Sequence, residues 1–537
     1  MQSPTRILYN CKIYTLDSHQ PIVDAIAIAN GRVVAIGEVD SLFSEISQPY
    51  ERLNLAQKII LPGLVDAHIH LEKYAHSLQK MDCGTTTRAE CLRRVAERLR
   101  MTAQDEWVLG HGWNQNDWPE GFGSLKDLDQ ISSSQPIYLT AKSLHAAWAN
   151  SAALQAGGVT INTSDPPGGR IGRDESGYPN GLLFESAMSL VANMIPKPSP
   201  AGAARAITQA IANLWSMGLT GAHDFDQRLC FQALQILNED HALLFRVLKS
   251  IPLDDLQHAV ALGLRTGFGD DFLRIGGIKL FADGALGPRT AAMLQPYAGE
   301  PDNRGMLLLD AEEIFEYGKQ AVENGLALAI HAIGDRANHE VLKAFDQIRA
   351  LEQSLTRSDR DGHPPIRHRI EHVQLIHPDD APRLSKLGII ASMQPIHATS
   401  DMLMADTYWE RRAAYSYAWK LQLELGANLA FGSDAPVESP NPFWGLHAAV
   451  TRRRADGSPG EVGWFPQQKI SLHQAIQAYT TGAAYAAGME DRQGRLTPGS
   501  YADLIVLGSD PYHCEPDQLK EIQPSATMVA GNWVYEN

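Results

Sequence analysis

The sequence predicts an α/β protein: a TIM-type (β/α)8 barrel, a small β-sandwich domain made from both termini, and a large insertion after the first barrel strand. Three observations predict it. Short apolar runs alternate with helix-like stretches through the middle of the chain, the pattern of a parallel sheet with crossover helices. Both ends are instead rich in short β-like pieces. One interval between apolar runs is far longer than a single crossover needs.

At the N-terminal end, Ile7–Leu16, Ala25–Ala29 and Arg32–Ile36 read as strands, with Asn30-Gly31 as a tight hairpin turn. At the other end Asp503–Leu507 and Thr527–Ala530 have the same texture, followed by the turn Gly531-Asn532. Residues 1–61 and 495–537 are therefore expected to form one small domain, with the barrel over 62–494 between them. The candidate barrel strands are Leu64–His68, Leu219–His223, Phe245–Ser250, Gly277–Phe281, Leu326–His331, His368–His372, Ile389–Met393 and Leu429–Gly432. Eight such units point to a closed barrel. Ala311–Glu323 and Asn338–Leu351 are helix-like segments between them.

The first two strands are about 150 residues apart. That stretch holds a helical segment (Arg88–Leu99), an aromatic loop from Trp107 to Phe122 and a Gly/Pro-rich loop from Pro166 to Pro179. It reads as a subdomain inserted over 72–215. It is either a lid or substrate-selecting wall, or a brace for the barrel or a dimer contact.

Composition bounds the function. The 537 residues are 44% hydrophobic and 20% charged, as in ordinary globular proteins. The formal charge of -16 argues against a nucleic-acid surface and an anionic membrane partner. The five cysteines are scattered with no CxxC pair, which fits a reducing compartment and not a disulfide framework. No signal-type leader and no run of 18 apolar residues is present, so a cytoplasmic protein that does not span a membrane is expected.

The apolar run Ile59 to Ala67 ends in His68-Ile69-His70. Residues i and i+2 of a strand share a face, so His68 and His70 can offer two imidazoles to one metal ion. Alone, such a pair reads more readily as a strand end with solvated or hydrogen-bonded histidines. Further metal-type residues, however, stand near other strand ends: Lys279, His331, His372 and Asp434. In a barrel the C-terminal ends of the strands converge on one mouth. Burying so many polar groups is costly unless they are paired or metal-bound. Imidazole and carboxylate suit zinc or a similar divalent ion. Lys279 is the awkward member, because an ammonium has no lone pair to give. It serves only if it loses its charge or becomes an anion; otherwise it pairs with Asp283 or lies outside the barrel.

Together these segments resemble a known family. Pro62-Gly63-Leu64-Val65-Asp66-Ala67-His68-Ile69-His70, Gly110-His111-Gly112-Trp113-Asn114-Gln115 and the run His145 to Leu154 are similar to the amidohydrolase superfamily. So are Lys279 to Gly287, His331-Ala332-Ile333-Gly334-Asp335, Glu371-His372, Ser433-Asp434-Ala435-Pro436 and Pro498 to Leu504. The chain most resembles the long branch that includes N-substituted formamide deformylase-like proteins. The resemblance implies one or two divalent metals, zinc first, with iron or manganese as alternatives. It implies that His68, His70 and Asp434 hold one ion, that His331 and His372 hold the second, and that an N-carboxylated Lys279 bridges both.

The reaction so implied is hydrolysis of an amide-type C–N bond of a small molecule, an N-substituted formamide or N-acyl amine. A metal ion lowers the pKa of water towards about 7, giving hydroxide at neutral pH. Asp434 would take the proton and pass it to the leaving nitrogen. His145 and Arg289 are candidates for the oxyanion, Arg289 being equally readable as a structural ion pair. Trp113, Asn114 and His397 are candidate pocket residues, with packing as the alternative. A homodimer is compatible with the superfamily. Two other functions fit the sequence less fully: a one-metal deaminase of a heterocyclic amine, which has no role for Lys279, and a non-enzymatic scaffold, which would be expected to lose ligands.

Overall fold

The computed structural model describes the chain apart from residues 1–4, 47–49, 105, 116–117, 142–145, 168, 197, 288 and 356–365. Eight strands, β1 Leu64–Ile69, β2 Leu219–Asp224, β3 Arg246–Pro252, β4 Leu273–Phe281, β5 Leu328–Ala332, β6 Arg369–His372, β7 Ile390–Met393 and β8 Leu429–Phe431, pair in chain order and all in parallel. Each lies within a few residues of its sequence-predicted run. They are buried on both faces, which is why they read as apolar runs and not as alternating ones.

The barrel closes between β1 and the loop after β8. Ile69 bridges Ala435 in parallel, the Asp434 amide donates to the His68 carbonyl at 2.7 Å, and the His70 amide donates to the Ala435 carbonyl at 2.9 Å. The bonds that close the barrel thus run through three of the candidate ligands. Gly432 makes this approach possible: a Cβ there would lie 2.3 Å from the His68 nitrogen and 2.7 Å from Asp66 Oδ1. Only glycine fits so close a backbone.

The helices follow their end signals. Ala311–Glu323 opens on a capping box in which the Asp310 side chain accepts from the Glu313 amide and Glu313 reaches back to the Asp310 amide. The helix predicted over Asn338–Leu351 runs over Asp335–Ser354.

The strands from the two ends of the chain form one eight-stranded sheet, in which Ile59–Pro62 pairs antiparallel with Leu504–Leu507. Val33 near one edge and Met528 near the other share a core with Leu8, Ile13, Ile26, Ile60 and Val506. The sheet therefore wraps around its own core. A buried ion pair ties it to the barrel: Arg246 in β3 donates to both carboxylate oxygens of Asp503, at 2.5 and 2.9 Å.

Residues Ala75–Gly202 form a separate compact unit. Its six-stranded sheet begins with three parallel strands, Met81–Asp82, Val108–Trp113 and Ile137–Ala141, and continues antiparallel through Ala146–Ala149, Pro179–Glu185 and Gly169–Arg173. Helix Arg88–Met101 is capped by Thr87, whose side chain accepts from the Glu90 amide. Trp113, Trp118 and Trp148 are fully buried in this unit's core. The stretch read as 72–215 also includes most of helix Pro200–Ser216, which from Ala203 onward belongs with the barrel. Its buried Ala203, Ile207, Ile211 and Leu214 recur at helical spacing, and it is the helix that leads into β2. Among the described residues no helix is long and apolar enough to cross a membrane.

Arg246→Ala would leave the Asp503 carboxylate buried beside no cation. It is expected to destabilise the protein by roughly 3–5 kcal/mol, read as a lower midpoint in urea unfolding followed by tryptophan fluorescence. An unchanged midpoint would show that the pair contributes nothing net.

Candidate metal centre

The C-terminal ends of the barrel strands bring the candidate ligands to one mouth, as a barrel must. His68 is 1% exposed and its Nδ1 donates to Glu371 Oε2 at 2.6 Å. His70 Nδ1 donates to Asp226 Oδ1 at 3.0 Å. With both Nδ1 positions occupied, the two Nε2 atoms face Asp434 Oδ1, at 3.6 and 3.4 Å. A carboxylate behind an imidazole fixes its tautomer and raises its basicity, as is usual around metal ligands.

Across the mouth, His372 Nδ1 donates to Gln394 Oε1 at 2.8 Å. Its ring centroid lies 5.0 Å from that of His68 and 4.6 Å from that of His331. His331 Nε2 donates to the Gly284 carbonyl at 3.0 Å, which leaves Nδ1 as its lone-pair nitrogen. Lys279 is 4% exposed, with Nζ 4.5 Å from the Phe225 ring centroid. Asp283, the alternative partner for Lys279, accepts instead from the amides of Ala292, Ile333 and Gly334 at 2.8–3.0 Å.

Among the described residues three sets of ligand atoms each lie within 4.8 Å of one another: His68, His70 and Asp434; His372, His397 and Asp434; and Asp224, Asp226 and Cys230, in which Asp224 is paired with Lys249. His397, read from sequence as a pocket residue, stands at the start of helix Pro395–Trp409 with its Nε2 3.7 Å from Asp434 Oδ2. That buried Nε2 has no hydrogen-bond partner. Several buried imidazoles converging on one carboxylate are a donor set that suits a borderline divalent cation, so the residues present fit a metal.

The electrostatics agree. Burial and the nearby Lys279 push His68 down to about 4 and His331 to about 3. Burial and the other histidines hold His372 well below the ordinary imidazole value. His70 is raised: burial alone would lower it, but hydrogen bonds to Asp226 and Asp434 outweigh that. Burial takes Lys279 down to about 8, against the pull of Glu371 and Asp434. Burial would raise Asp434, yet the surrounding imidazoles hold it well below the usual carboxylate range.

The remaining candidates fall elsewhere. Arg289 pairs through Nε with Glu300 at 2.7 Å and donates to the Tyr408 hydroxyl at 3.2 Å, as in its ion-pair reading. Trp113 is 1% exposed in the core of the Ala75–Gly202 unit and its indole N–H donates to the Leu139 carbonyl at 2.8 Å. Asn114 is half-buried in the same unit. His145 lies outside the described residues.

Sequence reasoning missed the layer behind the ligands. Arg369 and Glu371 occupy alternate positions of β6 and are 4% and 0% exposed. Arg369 Nε donates to Glu371 Oε1 at 2.5 Å, Nη1 to His223 Nδ1 at 2.7 Å, and Nη2 to the Ala67 carbonyl and Ser392 Oγ at 2.6 Å. His223 is thus an acceptor for Arg369. Asp226 also accepts from the amides of Glu72 and Lys73, at 2.7 and 3.0 Å. The available signal was two charged residues at i and i+2 in a strand with no exposed face.

A parallel (β/α)8 barrel with imidazoles and a carboxylate at its C-terminal mouth is the architecture of a metal-dependent hydrolase, and the family to which the chain belongs makes it one that acts on carbon–nitrogen bonds. The chain belongs to the amidohydrolase family, whose model matches residues 51–535. Protein LONG AFTER FAR-RED 3 of Arabidopsis thaliana is 32% identical over 98% of this chain and 91% of its own. N-substituted formamide deformylase of Arthrobacter pascens is 25% identical over 99% of this chain and 98% of its own. An uncharacterized metal-dependent hydrolase of Pyrococcus furiosus, known from a crystal structure, matches with a TM-score of 0.78 at 28% identity, over 95% of this chain and 100% of that one.

Glu371→Gln keeps the shape behind His68 but removes the charge. It is expected to weaken metal binding roughly 10–100-fold, measured by competition with a chromophoric chelator. Unchanged affinity would show that His68 needs no carboxylate behind it.

Proposed function

We propose that this chain hydrolyses an amide-type C–N bond of a small molecule, an N-substituted formamide or N-acyl amine, with two divalent ions at the barrel mouth. His68, His70 and Asp434 would hold one ion, His331 and His372 the other, and Lys279, carboxylated on Nζ, would supply the anion between them. Zinc suits this donor set best, with iron or manganese as alternatives. What supports the reading is the approach of His68 and His70 Nε2 to Asp434, turned there by Glu371 and Asp226, with the His372 ring 5.0 Å from that of His68 and 4.6 Å from that of His331.

Bound divalent ions supply two things, an acidified water and a polarised carbonyl. The chain's own residues do the rest. Asp434 takes a proton from the attacking water and returns it to the leaving nitrogen. Its low pKa keeps the carboxylate free to accept at neutral pH. His397, with its Nε2 3.7 Å from Asp434, is placed to hydrogen-bond the oxygen that becomes negative. His145 remains a further candidate for that oxygen and Asn114 for a substrate contact, whereas Trp113 is buried in the core of its own unit and takes no part. Arg289 is committed to Glu300 and takes no part in this mechanism.

Elemental analysis of protein purified without chelators is expected to find two equivalents of metal per chain. Lys279→Ala is expected to lose metal and to lower activity on N-substituted formamides by more than roughly 100-fold. Full activity in that variant would sink the two-ion reading. One equivalent, with ammonia released from an aminated ring, would replace it with the deaminase.

A further inference from the structure

The barrel has a second opening at the end opposite the ligands. A cavity of about 450 Å³ lies where β4, β5 and β6 begin, large enough for a small organic molecule. Gly276-Gly277 of β4 form part of its wall. Leu248, Val322, Leu328 and Ile366 make much of the remainder apolar.

Two arginines on this wall, Arg274 and Arg265, make no ion pair among the described residues. Arg274 is half-buried, and its Nε is buried without a hydrogen-bond partner. Among the described residues no carboxylate lies within 4 Å of its guanidinium, and none lies so near that of Arg265, which is exposed at the same cavity. Burial, reinforced by Arg492, disfavours the charged form of Arg274 and outweighs the pull of Tyr501, Asp271 and Asp491, none of them within ion-pair distance. Two other guanidiniums on the wall are spoken for, Arg367 by Glu490 and Arg369 by Glu371. Glu323 is the carboxylate on the cavity wall, and it is exposed. A partly desolvated cation with no acceptor is costly unless an anion completes it.

We propose that this cavity is a binding site for a small organic anion, an apolar body carrying one carboxylate, whose carboxylate accepts from Arg274 and Arg265 while its body lies against Leu248, Val322 and Leu328. Active sites of such barrels lie at the C-terminal face, so this site is separate from the candidate metal centre. It does not depend on which C–N bond the enzyme cleaves.

Calorimetric titration of the purified protein with hexanoate tests it, with hexanamide as the uncharged control. Saturable binding of hexanoate at about one per chain is expected, with hexanamide at least roughly tenfold weaker. Arg274→Met keeps the apolar stem and removes the charge, and should weaken hexanoate roughly 10–100-fold. Arg265→Met at the rim should also weaken it, by less. Asp434→Asn should leave it unchanged. No saturable binding, or equal affinity in Arg274→Met, would overturn the proposal. Binding lost in Asp434→Asn but kept in Arg274→Met would overturn it too, by placing the anion at the metal mouth. Since the readout is binding, a failed search for amide substrates leaves this test intact.

Discussion

A carboxylate with no exposed surface, Glu371, sits between a buried guanidinium and a buried imidazole, and the candidate centre is organised around it. Burial alone would raise its pKa; Arg369 and His68 outweigh that and hold it well below the usual carboxylate range. Taking such charges out of water costs several kcal/mol per ion, recovered only when geometry and hydrogen bonds are close to complete. Here they are. Arg369 spends its donors on Glu371, His223, Ala67 and Ser392, and Glu371 spends an oxygen on His68. The network links residues of β1, β2, β6 and β7. The strands are thereby held in the one arrangement that also points His68 Nε2 at Asp434.

The same economy appears in the backbone. His372 and Asp434 have φ of 76° and 62°, a region that residues with a side chain seldom occupy. Such conformations cost about 1–3 kcal/mol each and persist where the surroundings over-determine them. The amide of Asp434 donates to the His68 carbonyl, so its unusual φ is held by a bond that also closes the barrel. The hydrogen bonds of the seam between the first and last strands are the same ones that set Asp434 beside the histidines.

Much of this was legible beforehand. The barrel strands show as apolar runs because a parallel sheet covered on both faces leaves no polar positions to interrupt them. The ligands show because metal-type residues at strand ends break that rule in one place each. What was illegible was which polar residue faces what. Glu371 stood out only as the neighbour of His372, yet with Arg369 it is the support for His68, some 300 positions away in sequence. Asp226 carries no signal in the sequence, and holds His70. His397 was read as lining a pocket, and its imidazole stands by Asp434 because a helix starts at Pro395. Trp113 reads the same in a binding loop or a core, and only the packing of Trp118 and Trp148 around it separates the two.

By itself, then, the sequence determined the period of the strands, the residue types at their ends and hence the family and the class of chemistry. These are local properties, set by the alternation of apolar and polar positions along the chain. Tertiary structure decided which nitrogen of each imidazole is free and which charges are neutralised out of water. It also left Arg274 beside a cavity without an acceptor. Those depend on distances between residues far apart in the chain, and such distances exist only once the barrel has closed.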